Sequence, residues 1–146
     1  MKIRLCKKED IPEILKLGKD AFKHERWYSK KYLEKVLREN SKICWIMEDS
    51  GKLIGARFIY DDSDGRAWGW ILAIEPDLRR KGIGSLLFYE TAKRLKKQGF
   101  RKLYAECSVR NKPSITWHLK LGYKKAGIFR DWYGKGHHAV FFDYNL

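Results

Sequence analysis

The stretch Leu72-Ala73-Ile74-Glu75-Pro76-Asp77-Leu78-Arg79-Arg80-Lys81-Gly82-Ile83-Gly84-Ser85 constrains the fold more than any other, because a strand runs through a glycine-bearing turn straight into a long helix. Residues 67–74 read as the strand, and Pro76 ends it. Residues 82–98 then place Ile83, Leu87, Phe88, Ala92 and Leu95 on one helical face and Glu90, Lys93, Lys96 and Lys97 on the other. Residues 101–107 read as a further strand, so strand, helix and strand form a crossover unit, expected to be parallel and right-handed. The turn itself is an anion site. The first N–H groups of a helix have no intrahelical partner, the dipole is positive there, and glycine admits a phosphate without a Cβ in the way. Arg79, Arg80 and Lys81 add charge at the same point.

The rest of the chain supplies elements around this unit. Residues 2–6 alternate as a short strand, and Lys8-Glu9-Asp10-Ile11-Pro12 opens a helix whose buried stripe takes Ile11, Ile14 and Leu15 and reaches Ala21 and Phe22. Ser29 can cap a second helix over 29–38, with Tyr32, Leu33, Val36 and Leu37 at helical spacing. Residues 43–47 and 53–60 read as strands joined by a turn at 49–52, and the turn at 61–65 leads to the strand at 67–74, which makes a meander. After the crossover come a short helix at 113–121 and strands at 123–130 and 139–144. The pattern is that of a mixed α/β domain over residues 1–146, with a mostly antiparallel sheet of about seven strands and four helices.

Composition narrows the function. Lys and Arg number 32 against 18 Asp and Glu, a net charge of +14, which favours anionic ligands: a pyrophosphate, an RNA, or simply water around a lysine-rich surface. No apolar run is long enough to span a bilayer and the charged start lacks a signal peptide's apolar core, so a cytoplasmic protein is expected. Cys6, Cys44 and Cys107 lie far apart with no metal-ligand spacing, and are expected to be buried free thiols with neither metal nor disulfide. The Walker pattern GxxxxGK and the Rossmann pattern GxGxxG are both absent, since Gly82 and Gly84 are followed by Leu87 where a third glycine would stand.

Arg79-Arg80-Lys81-Gly82-Ile83-Gly84 resembles the signature of the GCN5-related N-acetyltransferases: Gln or Arg, two residues, Gly, any residue, then Gly or Ala. The resemblance extends to Leu72-Ala-Ile before the motif, to Asn111-Lys-Pro-Ser114, and to Leu119-Lys-Leu-Gly-Tyr123 after the next strand, and it covers nearly the whole chain. It implies acetyl-CoA as acetyl donor, aligned by main-chain groups of Leu72, Ala73 and Ile74. The turn Arg79, Arg80, Lys81, Gly82, Ile83, Gly84 and Ser85 would hold its pyrophosphate, with Asn111 and Ser114 touching the CoA arm. The acceptor would be a primary amine: a protein N-terminus, a lysine side chain, or a small amine such as a polyamine or aminoglycoside.

Direct attack on a thioester needs a base for the ammonium proton, a donor to the carbonyl and an acid for the thiolate. Glu106 matches a glutamate used by the ribosomal-protein N-terminal acetyltransferases and is the candidate base; an edge carboxylate paired with Lys or Arg is the alternative. Glu75, just before Pro76, reads as a turn residue. The family's acid is usually a tyrosine, and the aligned position holds His118, a candidate acid or a bystander on its helix. Trp68 and Trp70 are expected to pack in the core, while Trp132, Tyr133, His137 and His138 form a loop where the family shapes its acceptor site. A monomer or homodimer is expected. From another class, a basic module with exposed aromatics could bind RNA through phosphates and stacking.

Overall fold

The computed structural model describes residues 1–23 and 25–146. Among them the chain forms seven strands and four α-helices: β1 (Lys2–Leu5), α1 (Ile11–Leu17), α2 (Lys30–Glu39), β2 (Cys44–Asp49), β3 (Lys52–Asp61), β4 (Arg66–Ile74), α3 (Ile83–Lys97), β5 (Lys102–Ser108), α4 (Lys112–Leu121), β6 (Lys124–Phe129) and β7 (Ala139–Asn145). They make one mixed sheet of order β1-β2-β3-β4-β5-β7-β6, antiparallel throughout except for the β4–β5 pair. This is the mixed α/β architecture expected, with the crossover strands parallel as read. No helix among the described residues is long and apolar enough to cross a membrane.

Local chemistry explains the helices. Ser29 caps α2 by accepting from the Tyr32 N–H, and Leu33, Val36 and Leu37 face inward. In α3 the stripe of Leu87, Phe88, Ala92 and Leu95 is buried as expected, joined by Thr91, whose hydroxyl donates to the Leu87 carbonyl at 2.7 Å. The first helix is shorter than its apolar spacing suggests. It ends at Leu17, with Gly18 as its C-cap, and Phe22 packs instead on Trp27 and Tyr28 from the following turns. Periodicity did not reveal this stop, because the apolar residues beyond Gly18 still find a core to enter.

Two cores form, one on each face of the sheet. Ile11, Ile14, Leu33, Val36, Phe58 and Ile71 pack on the α1–α2 side, and Phe88, Leu95, Leu103, Val140 and Phe142 pack on the α3–α4 side. Cys6, Cys44 and Cys107 are buried and unpaired, as expected.

One irregularity positions everything that follows. Phe58 of β3 pairs with Ile71 and Ile59 pairs with Gly69, so Trp70 is an extra residue in β4, a β-bulge. The parallel pairing of β4 with β5 runs only from Arg66↔Lys102 to Trp68↔Tyr104 and stops just before the bulge. Beyond that point the two strands part, and the centre of the sheet opens into a notch.

Candidate active site

The edge of β4 that faces the notch carries free main-chain groups. The Glu75 N–H donates to the Ile54 carbonyl on β3 at 2.9 Å, so by strand alternation Ala73 also turns to β3 while Leu72 and Ile74 turn to the notch. Of the three residues expected to align a thioester, two therefore present N–H groups there, and Ala73 is held by the sheet.

At the end of β4 the chain reaches α3 through Arg80 and Gly82, both left-handed at φ 64° and 81°. Gly82 is the N-cap, and the hydrogen-bond ladder of α3 begins with the Leu86 N–H on the Gly82 carbonyl, so the N–H groups of Ile83, Gly84 and Ser85 stay free. No protein atom lies within 4 Å of where a Cβ on Gly82 would be, so the turn is open on its outer side. A cavity of about 970 Å³ lies over it, lined by Leu72, Ile74, Arg80, Gly82, Gly84 and Ser85 and, across from them, by Lys112 and Lys120 of α4. Arg79 also borders it, but its Nε donates to the Ile74 carbonyl at 3.0 Å, which ties the guanidinium to the strand end. Lys81 is exposed at the turn, and the Ile83 side chain packs inward near Leu87. Lys112 and Lys120 were not picked out in the sequence, since they sit on another element far along the chain.

A second cavity, of about 890 Å³, passes through the notch itself. Along β5 the side chains of Leu103, Ala105 and Cys107 enter the α3–α4 core, so Glu106 points to the opposite face. There it accepts a hydrogen bond from the Tyr133 hydroxyl and shares the cavity with Glu25, Trp27, Trp68, Trp70 and Trp132. Burial raises the Glu106 carboxyl above the usual range and the charge of Glu25 adds to this, against the opposing effects of Tyr133 and the nearby Trp68 N–H. Trp70 packs against the α1–α2 core as expected but also lines this cavity, and Trp68 is a cavity wall rather than a core residue, because β5 parts from β4 just beyond it. Trp68 stacks on Tyr104 at 5.9 Å between centroids, and Trp70 packs on Trp27 at 5.3 Å. Glu75 lies outside this cavity and pairs with Lys52 at 3.8 Å, a turn residue as read.

On the α3–α4 face the same cavity is lined by Arg57, Gly69, Leu72, Asn111, Ser114, Trp117 and His118. Asn111 caps α4 by accepting from the Ser114 N–H at 3.1 Å and borders the cavity at the start of that helix. His118 Nδ1 lies 2.7 Å from the Ser114 carbonyl oxygen, and since a carbonyl only accepts, that nitrogen carries a proton. In the neutral ring Nε2 is then a lone pair. Burial lowers the His118 pKa, the Ser114 carbonyl opposes this, and the charge of Arg57 lowers it further, so the neutral form is favoured. The imidazole stacks on Phe142, with centroids 4.8 Å apart.

Arg57 was not singled out by the sequence. It sits in an otherwise apolar strand and is only 5% exposed. Its guanidinium occupies the space left by the missing side chain of Gly69, where a Cβ would stand 3.1 Å from Nη2. A lone basic residue in an apolar strand was the available signal, but it gave no hint of the glycine opposite, which a neighbouring strand supplies.

Comparison with known proteins agrees with this geometry. The chain is 26% identical to an uncharacterized N-acetyltransferase of Methanocaldococcus jannaschii over 89% of its own length, and it spans 63% of that relative. Its fold matches Ard1 from Thermoplasma volcanium with a TM-score of 0.89 at 18% identity, covering 99% of this chain and 97% of that one. The ribosomal-protein-S18-alanine N-acetyltransferase from Escherichia coli matches with a TM-score of 0.84 at 21% identity, over 99% and 93%. Residues 9–123 carry the sequence pattern of the acetyltransferase (GNAT) family, and the chain belongs to that family.

Proposed function

We propose that residues 1–146 form one N-acetyltransferase domain that moves an acetyl group from acetyl-CoA to a primary amine by direct attack, with a protein N-terminus as the acceptor. The observation that carries this reading is the meeting of the two cavities at Leu72 and Trp117, one running to the free N–H groups of α3 and the other through the notch to Glu106. A pyrophosphate fits the first end, where Gly82, Ile83, Gly84 and Ser85 supply main-chain donors and Arg79, Arg80 and Lys81 supply charge. The pantetheine arm would follow the N–H groups of Leu72 and Ile74 past Asn111 and Ser114 and bring the thioester to the notch. No acetyl-CoA is part of the structure, and the residues present suit it.

From the other face an amine would meet Glu106. A carboxyl held above its ordinary range by burial is a better acceptor for an ammonium proton than a free one. Cys107 borders the cavity, but burial raises its thiol pKa, so the less nucleophilic protonated form is favoured. His118, expected as a candidate acid, offers a lone pair at Nε2 in its favoured neutral form, which suits a positioning role better than proton donation.

The acceptor assignment rests on the cavity walls. Glu25 and Glu106 make an acidic mouth on a chain whose net charge is +14, and Trp27, Trp70 and Trp132 provide flat surfaces for the first side chains of a peptide. A ribosomal-protein-alanine acetyltransferase is among the proteins that share the fold. Incubation with acetyl-CoA and a panel of peptides, lysine derivatives, polyamines and aminoglycosides, read by CoA release, tests it. Turnover on peptides with free N-termini and none on N-blocked, lysine-containing ones is expected. Turnover on small amines alone would replace the acceptor, and steeply salt-dependent RNA binding without CoA release would replace the enzyme.

A further inference from the structure

Arg57 is a buried cation without a counter-charge. Among the described residues it enters no salt bridge, and its Nε is buried with no hydrogen-bond partner. What compensates it among the described residues is uncharged: the ring of Phe88, whose centroid lies 5.4 Å from Cζ, and the neutral phenol of Tyr123. Burying an unpaired charge is costly, and a strand position that bears this cost beside a glycine which makes room for it calls for an anion. Arg57 pairs in register with Leu72, which together with Trp117 lines both cavities, and borders the notch together with His118.

We propose that Arg57 holds the sulfur of the departing CoA as a thiolate, so that the leaving group needs no proton donor on α4. The inference rests on the acetyltransferase reading. The amine nitrogen forms a bond to the thioester carbonyl carbon, the carbon–sulfur bond breaks, and its electron pair stays on sulfur. The ammonium gives one proton to Glu106 before attack, directly or through a water, the second passes from nitrogen to solvent as the amide forms, and the thiolate takes a proton from solvent as CoA leaves. The guanidinium meets the charge where it develops, in a site already shielded from water. A fixed cation also explains how a histidine without a proton at Nε2 can stand where the family usually has a tyrosine.

The groups that face Arg57 are His118 on α4, Tyr123 after it, Cys107 on β5 and, at the other mouth of the cavity, Glu106 and Glu25. Burial raises the Tyr123 pKa, while the charge of Arg57 and a hydrogen bond with it oppose this, so the phenol stays a neutral partner and leaves the guanidinium its charge.

The test is the acidity of bound CoA, read from the ultraviolet absorbance of its thiolate as a difference from the complex with desulfo-CoA. The native protein should bind CoA with a thiol pKa lowered by at least about one unit from a free-thiol value near 8.5. Arg57→Met should return it to about that value while still binding acetyl-CoA, and should lower kcat roughly tenfold or more. Arg57→Lys, which keeps the charge, should recover part of both. CoA bound with an unshifted thiol in the native protein would overturn the inference alone. So would an Arg57-dependent preference for succinyl-CoA over acetyl-CoA, since the guanidinium would then serve an acyl carboxylate. No binding of CoA at all would overturn the acetyltransferase reading and this inference with it.

Discussion

The β1–β2 edge and the β4–β5 notch each contain an arginine, and the two are treated in opposite ways. At the edge, Arg4 donates to both oxygens of Asp10 at 2.9 Å and to Glu48 at 2.8 Å, linking β1, β2 and the turn before α1. Every strong donor there has an acceptor, and the network is partly exposed. In the notch, Arg57 is more deeply buried and has no counter-charge among the described residues. Asp10 behaves as a paired group should: burial opposes its ionisation, but the Arg4 guanidinium and the Lys7 N–H outweigh this and lower its carboxyl. Glu106 goes the other way, raised by burial. The edge pairs its charges with one another, whereas in the notch Arg57 has no acidic partner among the described residues and Glu106 accepts only from a neutral hydroxyl, the kind of incompleteness that the proposed chemistry would use.

The contrast would break most visibly at Glu106. Glu106→Gln should lower turnover by roughly 10²-fold with acetyl-CoA affinity nearly unchanged. A base works when deprotonated, so native activity should rise with pH through a raised Glu106 pKa, and the loss in the variant should shrink at high pH where more amine is already neutral. Steady-state rates across pH with a peptide acceptor check both, and equal rates would return Glu106 to structure.

Gly82→Val comes next. A valine at a left-handed φ strains the turn by about 1–2 kcal/mol, and its side chain would project into the open outer side where a phosphate should approach. Acetyl-CoA at about 100 times its Kd should stabilise the native protein by about 2.7 kcal/mol. Thermal melts should show that gain absent in the variant, and an unchanged gain would place the cofactor elsewhere.

On the edge the expectation reverses: Arg4→Ala should cost about 1–3 kcal/mol of stability, read from the denaturant midpoint, and leave kcat unchanged. Because the folded pKa of Asp10 is depressed, its contribution is present above the unfolded value of about 3.9 and is lost as pH falls through the folded one. The smallest effect is expected at His118. With Nε2 as a lone pair, His118→Ala should cost less than the roughly 10²-fold of a lost general acid, and no descending limb should vanish from the pH profile. A large loss that His118→Tyr restores, with the limb moved upward, would make it the acid after all.

The comparison also separates what a sequence can carry from what it cannot. The order of elements, the crossover, the cap at Ser29 and the glycine turn before α3 were legible because each depends on residues close together in the chain. Helical and strand periods, a capping side chain and a turn that needs φ > 0 are local facts, and they sufficed to indicate the family. Which face a strand residue meets is not local. One extra residue in β4, Trp70, is revealed only by its register with β3, and together with the parting of β5 it leaves Trp68 and Trp70 as cavity walls. Likewise Arg57 and Gly69 lie on different strands, and only pairing in the sheet shows that the guanidinium fills the space a side chain would take. Local sequence sets the elements and the glycine turn before α3; folding sets which charges lack partners, because burial and pairing are properties of neighbours that the chain brings together only when it folds.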